Sequence, residues 1–343
     1  MNEKLKAYIL FYFILISFGC SLPKKQLLIQ DVNGTHQLAK NKIWLSHEHI
    51  LVDFIGADSI QTSNRNHDSI IYEVIPYLNE LKDFNVDYFV DATPNYLGRD
   101  VLLLEKIANK TGIKIITNTG LYGAQRDKFI PKYAKESTAE NLAQMWIKEY
   151  TLGIDGTSIK PGFIKIGIDN SDTLSIMHQK LVKAAALTHL NTGLTIASHT
   201  GKAAGLWPQL DILKEMGVSV EAFIWVHAQN ENNNDNYLKA AKTGCWISLD
   251  GLGWDLEKHV EKILFAKTNG ILDRILISHD AGWYDPQKKT QTIKPYTAIF
   301  KKLYPELKSR GFTDDEFNTL ISVNPSKAFS IEIRSAPLDE NNK

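Results

Sequence analysis

The chain has 343 residues, 43% of them hydrophobic, enough to bury one large α/β core or two average ones. Its 39 Lys and Arg balance 39 Asp and Glu, which leaves no basic field to hold a nucleic-acid backbone. Nucleic acid is therefore set aside as a partner, and no run of like charges marks an interaction tail.

Lys4 and Lys6 precede a short apolar core, "AYILFYFILISFG" (7–19), followed by "SLPKKQ". That core is short for a bilayer span and reads as a secretory signal. Its end, "ISFGC", places Cys20 after Gly19 and resembles the lipobox of bacterial lipoproteins, with Ser17 where leucine is preferred. The expectation is a signal peptide of lipoprotein type over 1–20, a linker over 21–39, a barrel domain over 40–333 and a tail over 334–343. The product would be exported, periplasmic or membrane-anchored in a bacterium, and would touch the membrane only through its lipid. An ordinary signal peptide or an uncleaved anchor is the alternative. With Cys20 lipidated, the other cysteine, Cys245 in "GCWISLD", is a buried thiol without a disulfide partner.

From residue 43 onward, apolar runs alternate with amphipathic stretches. In chain order the runs are "KIWLSHEH", "VDYFVDAT", "IKIITNTG", "GFIKIGID", "LTIASHT", "AFIWVHA", "CWISLD" and "RILISHD". Between them lie helix-like segments such as "RDVLLLEKIANKTG", "HQKLVKAAALTHLNTG" and "WDLEKHVEKILFAKTNG", which close on Gly as helix C-termini often do. Eight β-like runs with helical connections are the count of a (β/α)8 TIM barrel, and their apolar character fits parallel strands covered by helices. A doubly wound open sheet is the alternative. It would need a glycine-rich phosphate loop after its first strand, and "SHEHILVDF" is none. "NENNNDN" (230–236) reads as a solvent-exposed loop.

Unusual polar residues gather at the ends of these runs. His47 and His49 end the first, His199 the fifth, His227 the sixth and Asp280 the eighth, while Lys165 sits inside the fourth. In a parallel barrel all strand C-termini open on one face, so these residues converge. On a strand His47 and His49 point one way and Glu48 the other. Two imidazoles on one face, joined by two more and a carboxylate from other strands, point to a metal site. A lysine in an apolar strand is costly to bury charged. It can snorkel or pair with Asp280, form a Schiff base, or react as a neutral amine with carbon dioxide to give a metal-bridging carbamate. The available histidines favour the last. His36, His67, His178, His189 and His259 read as surface groups, while His279 and Glu48 face away from the metal side.

The set "SHEH", "LGRD" (97–100), "TGLY" (119–122), "GIDGTSIKPGFIKIG", "SHTG" (198–201) and "SHDAGW" (278–283) resembles the phosphotriesterase-related branch of the amidohydrolase superfamily, in order over roughly residues 40–330. The resemblance implies a binuclear centre at the C-terminal face of the strands. His47, His49 and Asp280 would hold the more buried ion, His199 and His227 the more exposed one, with carboxylated Lys165 and a hydroxide between them. Two divalent ions suit this donor set, Zn²⁺ foremost, with Mn²⁺, Co²⁺ or Fe²⁺ as alternatives. The implied reaction is hydrolysis by the bridging hydroxide, with Asp280 taking up the proton.

Tyr122 stands where lactonase-like members of the family resemble this chain, and its phenol could orient a carbonyl or protonate a leaving alkoxide. Gly251, in "LDGLGW", supplies no guanidinium of the kind found in acyl-homoserine lactonases. Trp254 and Trp283 are candidates to line the substrate pocket. The leading expectation is a hydrolase for a small lactone or carboxylic ester with promiscuous phosphotriesterase activity, and the resemblance is compatible with a homodimer. The alternatives are a Schiff-base lyase using Lys165 and a non-catalytic, ligand-binding surface lipoprotein.

Overall fold

The computed structural model describes residues 27–61, 65–253 and 255–336. The signal segment 1–20 with Cys20, Trp254 and residues 337–343 of the tail lie outside these. The chain first forms a hairpin, β1 (Leu28–Asp31) with antiparallel β2 (Gly34–Gln37), in the stretch expected as linker. The apolar runs then become β3 (Ile43–Leu51), β4 (Val86–Asp91), β5 (Lys114–Ile116) with β6 (Asn118–Thr119), β7 (Phe163–Gly167), β8 (Ile196–His199), β9 (Phe223–Val226), β10 (Trp246–Leu249) and β11 (Ile275–Ile277).

These strands are parallel and pair in sequence order, with β5 and β6 acting as one strand broken at Thr117. The seam between β11 and β3 closes through side chains. Ser46 Oγ donates to Ile277 O (3.0 Å), and His47 N donates to Ser278 Oγ (2.9 Å). A short strand, β12 (Gly282–Tyr284), lies parallel to the end of β3. The result is the expected α/β barrel of TIM type.

Helices follow the strands on the outside: α1 (His67–Asn79), α2 (Val101–Thr111), α3 (Lys132–Glu136), α4 (Ala139–Leu152), α5 (Ile176–Thr192), α6 (Ala203–Glu215), α7 (Asp235–Thr243) and α8 (Leu256–Thr268). Their ends carry the expected signals. Asp100, Ser175 and Asp255 cap α2, α5 and α8, and Gly112 and Gly193 end α2 and α5 in the left-handed conformation. Short helices α9 (Tyr304–Ser309), α10 (Asp314–Asn318) and α11 (Asn324–Ala328) complete the outer layer.

Inside the barrel, Trp44, Tyr88, Phe163 and Phe329 fill the lower end, with Trp44 stacked on Tyr88 at 4.1 Å. Lys165 lies two residues beyond Phe163 on β7, so alternation puts both in the interior while Ile164 and Ile166 join the outer core. On β3 simple alternation would set Trp44 and His47 on opposite faces. A register irregularity between Leu45 and Glu48 reverses the parity, so Trp44 fills the barrel and the two histidines still point inward.

The expectations for three histidines and for one loop are corrected. His178, His189 and His259 are buried rather than surface groups, because each lies on the inward stripe of its helix and bonds backbone. Their partners are Gly123 O (3.0 Å), Leu194 O (2.9 Å) and Asp255 O (2.6 Å). His36 sits on β2 beside Asp31, and His67 opens α1 beside Asp100. The polar stretch 230–236 is partly anchored. Glu231 is buried and accepts from the backbone N–H of Ala203, Asn232 and Asn233.

Candidate metal centre

The barrel mouth collects the predicted side chains from strands far apart in sequence. His47 and His49 come from β3, Lys165 from β7 and His199 from the last position of β8. His227 and Asp280 lie just past β9 and β11. Both adopt positive φ, 61° and 51°. At His227 this turns the side chain inward although Val226 before it already faces the interior, whereas Asp280 keeps step with inward Leu276. Such backbone costs on the order of 1–3 kcal/mol per residue and persists only where surroundings enforce it. Here His227 N donates to Asp250 Oδ2 (3.2 Å) and Asp280 N to His47 O (3.1 Å).

The donor atoms of His47, His49 and Asp280 all lie within 4.8 Å of one another. His49 Nε2 is 3.0 Å and His47 Nε2 3.9 Å from Asp280 Oδ1. The remaining imidazoles stand alongside, with ring centroids 5.2 Å apart for His47 and His227 and 4.4 Å apart for His199 and His227. Their far nitrogens are held from behind. His227 Nδ1 lies 2.7 Å from Asp250 Oδ1, His47 Nδ1 3.5 Å from Asp250 Oδ2, and His49 Nδ1 2.7 Å from Thr93 Oγ1. This is how metal-binding histidines are oriented and their tautomers set. Tyr122 OH lies 3.1 Å from His199 Nδ1.

Electrostatics fit the same use. Burial holds His47 and His199 well below the ordinary imidazole range, aided by Lys165 and by His227, so both rings are neutral donors. Burial opposes protonation of His227 too, but the Asp250 carboxylate outweighs it and raises that group. Burial alone would raise Asp280; the hydrogen bond from His49 and the charge of His227 reverse this and keep it ionised. Burial raises the Tyr122 phenol, with Asp280 adding to it.

Lys165 does not snorkel: its residue is 2% exposed. Nor is it paired, since no described carboxylate lies within 4 Å of its amine. Desolvation brings it down to about 8, against the pull of Asp250 and Asp280. A cavity of about 260 Å³ opens above these groups, walled by Val52, Phe54, Leu97, Tyr122 and Trp283.

The Phosphotriesterase family model matches residues 28–329. The chain belongs to the phosphotriesterase family. It is 31% identical to an aryldialkylphosphatase of Saccharolobus solfataricus over 83% of this chain and 94% of that one. It is 27% identical to the phosphotriesterase homology protein of Escherichia coli, over 83% and 97% of the two chains. A solved mutant of the organophosphorus hydrolase from Deinococcus radiodurans superposes with a TM-score of 0.80 at 23% identity, covering 89% of this chain and 98% of that one, which bears on the fold. As a member of the phosphotriesterase family the chain is a hydrolase of the amidohydrolase superfamily.

Within this phosphotriesterase-family site, two residues escaped the sequence reading. Asp250 ends the "CWISLD" run as Asp280 ends "RILISHD", which was the available signal; its partner His227 lies 23 positions away. Thr93 gave none. Glu48 was placed correctly behind the strand and proves to be a hub. It accepts from Ser278 Oγ, His279 N, His279 Nδ1 and Ala281 N, and so fixes the loop that carries Asp280.

Proposed function

We propose that the chain is a metal-dependent hydrolase that cleaves a lactone or carboxylic ester at a binuclear centre, with phosphotriester cleavage a side activity. The observation that carries this reading is the convergence of four imidazoles, Asp280 and an unpaired, desolvated Lys165 at one barrel mouth. His47, His49 and Asp280 would hold one ion, and His199 and His227 the other. Zn²⁺ is the first choice for such nitrogen and oxygen donors, with Mn²⁺, Co²⁺ and Fe²⁺ as alternatives. Bound there, such ions supply Lewis acidity and a water that ionises near neutral pH.

The chain's own groups supply the rest. With its affinity for protons reduced, the Lys165 ammonium gives up one proton, and the neutral Nζ attacks carbon dioxide and releases a second. The cation thus becomes a carbamate anion, which would offer two oxygens to the ions. Asp280, held ionised beside His49, accepts a proton from the attacking water and passes it outward. The Tyr122 phenol stays protonated and can orient the ester carbonyl or donate to the leaving alkoxide. The walls of Val52, Phe54, Leu97 and Trp283 exclude solvent and receive the apolar part of the substrate.

The test is a panel of lactones, carboxylic esters and organophosphates given to metal-reconstituted protein. Turnover should vanish on chelation and return with Zn²⁺. Full activity in metal-free protein, or substrate trapped on Lys165 by borohydride, rejects the reading.

A further inference from the structure

The centre opens on two sides of opposite character. One side is the apolar pocket of Phe54, Leu97 and Trp283. On the other, His199 and His227 wall two further cavities that both include Asn230 and Lys258. The larger, about 530 Å³, is also lined by Gln125, Asp169, Asn170, Lys202 and Asn232. Gly251 lines the smaller, and a Cβ there would meet Gln229 Nε2 at 2.5 Å.

The charges of this polar side are unevenly engaged. Asp169 accepts from the backbone N–H of Gln125 (2.8 Å) and Arg126 (3.3 Å), and Asp255 accepts from Lys258 N (3.0 Å) as the cap of α8. Both carboxylates are thus occupied with backbone. Among the described residues, neither Lys202 nor Lys258 has a carboxylate within 4 Å of its ammonium. Lys202 is exposed at the rim, whereas Lys258 is half-buried on the wall shared with His199 and His227. A cation without a counter-ion, facing a substrate cavity partly shielded from water, attracts an anion more strongly than a surface lysine does.

We propose that the substrate is bipartite: an apolar group sits against Phe54 and Trp283, and a carboxylate-class oxyanion beyond the scissile carbonyl binds Lys258, with Lys202 assisting at the rim. This rests on the hydrolase reading above and narrows its substrate to anionic esters or lactones. Lys258 is then a specificity residue that acts on the substrate rather than on the reacting bond.

The probes are mono-4-nitrophenyl esters of succinic, glutaric and adipic acid, each against its methyl-capped neutral counterpart, hydrolysed by metal-reconstituted protein with the spontaneous rate subtracted. The nitrophenyl ring suits the aromatic side and the free carboxylate the cationic one. In at least one pair the charged ester should show a kcat/KM tenfold or more above its neutral partner. K258M should lower that ratio at least tenfold, chiefly through KM, and K258R should keep most of it. A ratio near one in every pair, or one that K258M leaves unchanged, overturns the proposal. If no ester is hydrolysed, the hydrolase reading fails and binding decides separately. Methanesulfonate and glutarate titrated calorimetrically into the metal-loaded protein should bind at least tenfold more weakly to K258M. Equal binding by wild type and K258M overturns the anion site.

Discussion

At the scale of single residues, Asp250 is the group whose removal is most informative. It contacts two imidazoles from different strands and is itself fixed by Gln229, whose Oε1 accepts from Asp250 N at 3.1 Å. Asp250→Asn keeps the shape but offers His227 Nδ1 a weaker acceptor. Loss of such a partner typically costs 10–100-fold in metal affinity, and Zn²⁺ competition against a chromogenic chelator should show a weakening of that order. Unchanged affinity would remove Asp250 from the design of the centre. A second residue-scale prediction concerns Lys262. Its ammonium donates to Glu231 O and Tyr237 OH, both at 2.7 Å, but burial lowers it to about 8. In the unfolded chain it titrates near 10.4. Below pH 8 both states are protonated, so the folded protein bears the full cost of burying the charge. Between pH 8 and about 10.4 the unfolded state binds more protons, and the stability of the wild type rises with pH. Measured as the difference in unfolding free energy between wild type and K262M, the full shift would give about 3 kcal/mol. With solvent screening of the partly shielded ammonium, the rise should be on the order of 2 kcal/mol across that window. A flat or falling difference would show that Lys262 is not desolvated as its surroundings indicate.

At the scale of elements, the strand ends do the positioning, and some of this was legible in the sequence while some was not. The alternation of apolar runs and capped helices carries the barrel, because each run needs helices on its outer face, and α2 and α5 end where Gly112 and Gly193 can turn left-handed. The gathering of His47, His49, His199, His227 and Asp280 followed from topology alone. What did not follow is how the backbone turns His47, His49 and His227 inward. The irregularity in β3 leaves no mark in "IWLSHEH", and the positive φ of His227 is enforced by its contact with Asp250, remote in sequence. The buried helix histidines were missed for a related reason: helical periodicity says that a stripe faces inward but not that an imidazole can satisfy a backbone carbonyl there. Backbone closeness at the site gives the element-scale prediction. Gly120 follows β6 with φ +113°, and a Cβ there would stand 2.1 Å from Lys165 O. Gly120→Ala should cost about 3 kcal/mol or more, through both overpacking and strain. Gly112→Ala, with φ +77° and nothing within 4 Å of its Cβ, should cost only about 1 kcal/mol. Equal losses in chemical denaturation would mean that the β6–β7 contact tolerates movement.

At the scale of the whole molecule, the candidate centre is also a fastener. Its side chains come from β3, β7, β8, the turn after β9 and the loop after β11, so one filled centre would tie strands around most of the barrel, including the seam that closes through Ser46 and Ser278. A ligand that binds the folded state alone adds RT ln(1 + [L]/Kd), about 2.7 kcal/mol at a hundredfold excess over Kd. For a chain of this size that corresponds to a rise of roughly 5 °C in Tm. Metal-free protein titrated with Zn²⁺ should therefore show a concentration-dependent Tm, and His47→Asn combined with His49→Asn should reduce the rise. The unfolded chain also carries imidazoles that bind Zn²⁺ weakly, so the gain should level off or reverse at high metal. A Tm indifferent to Zn²⁺ from submicromolar to millimolar levels would mean that the side chains gather without holding an ion, and the metal-dependent reading would fall with it.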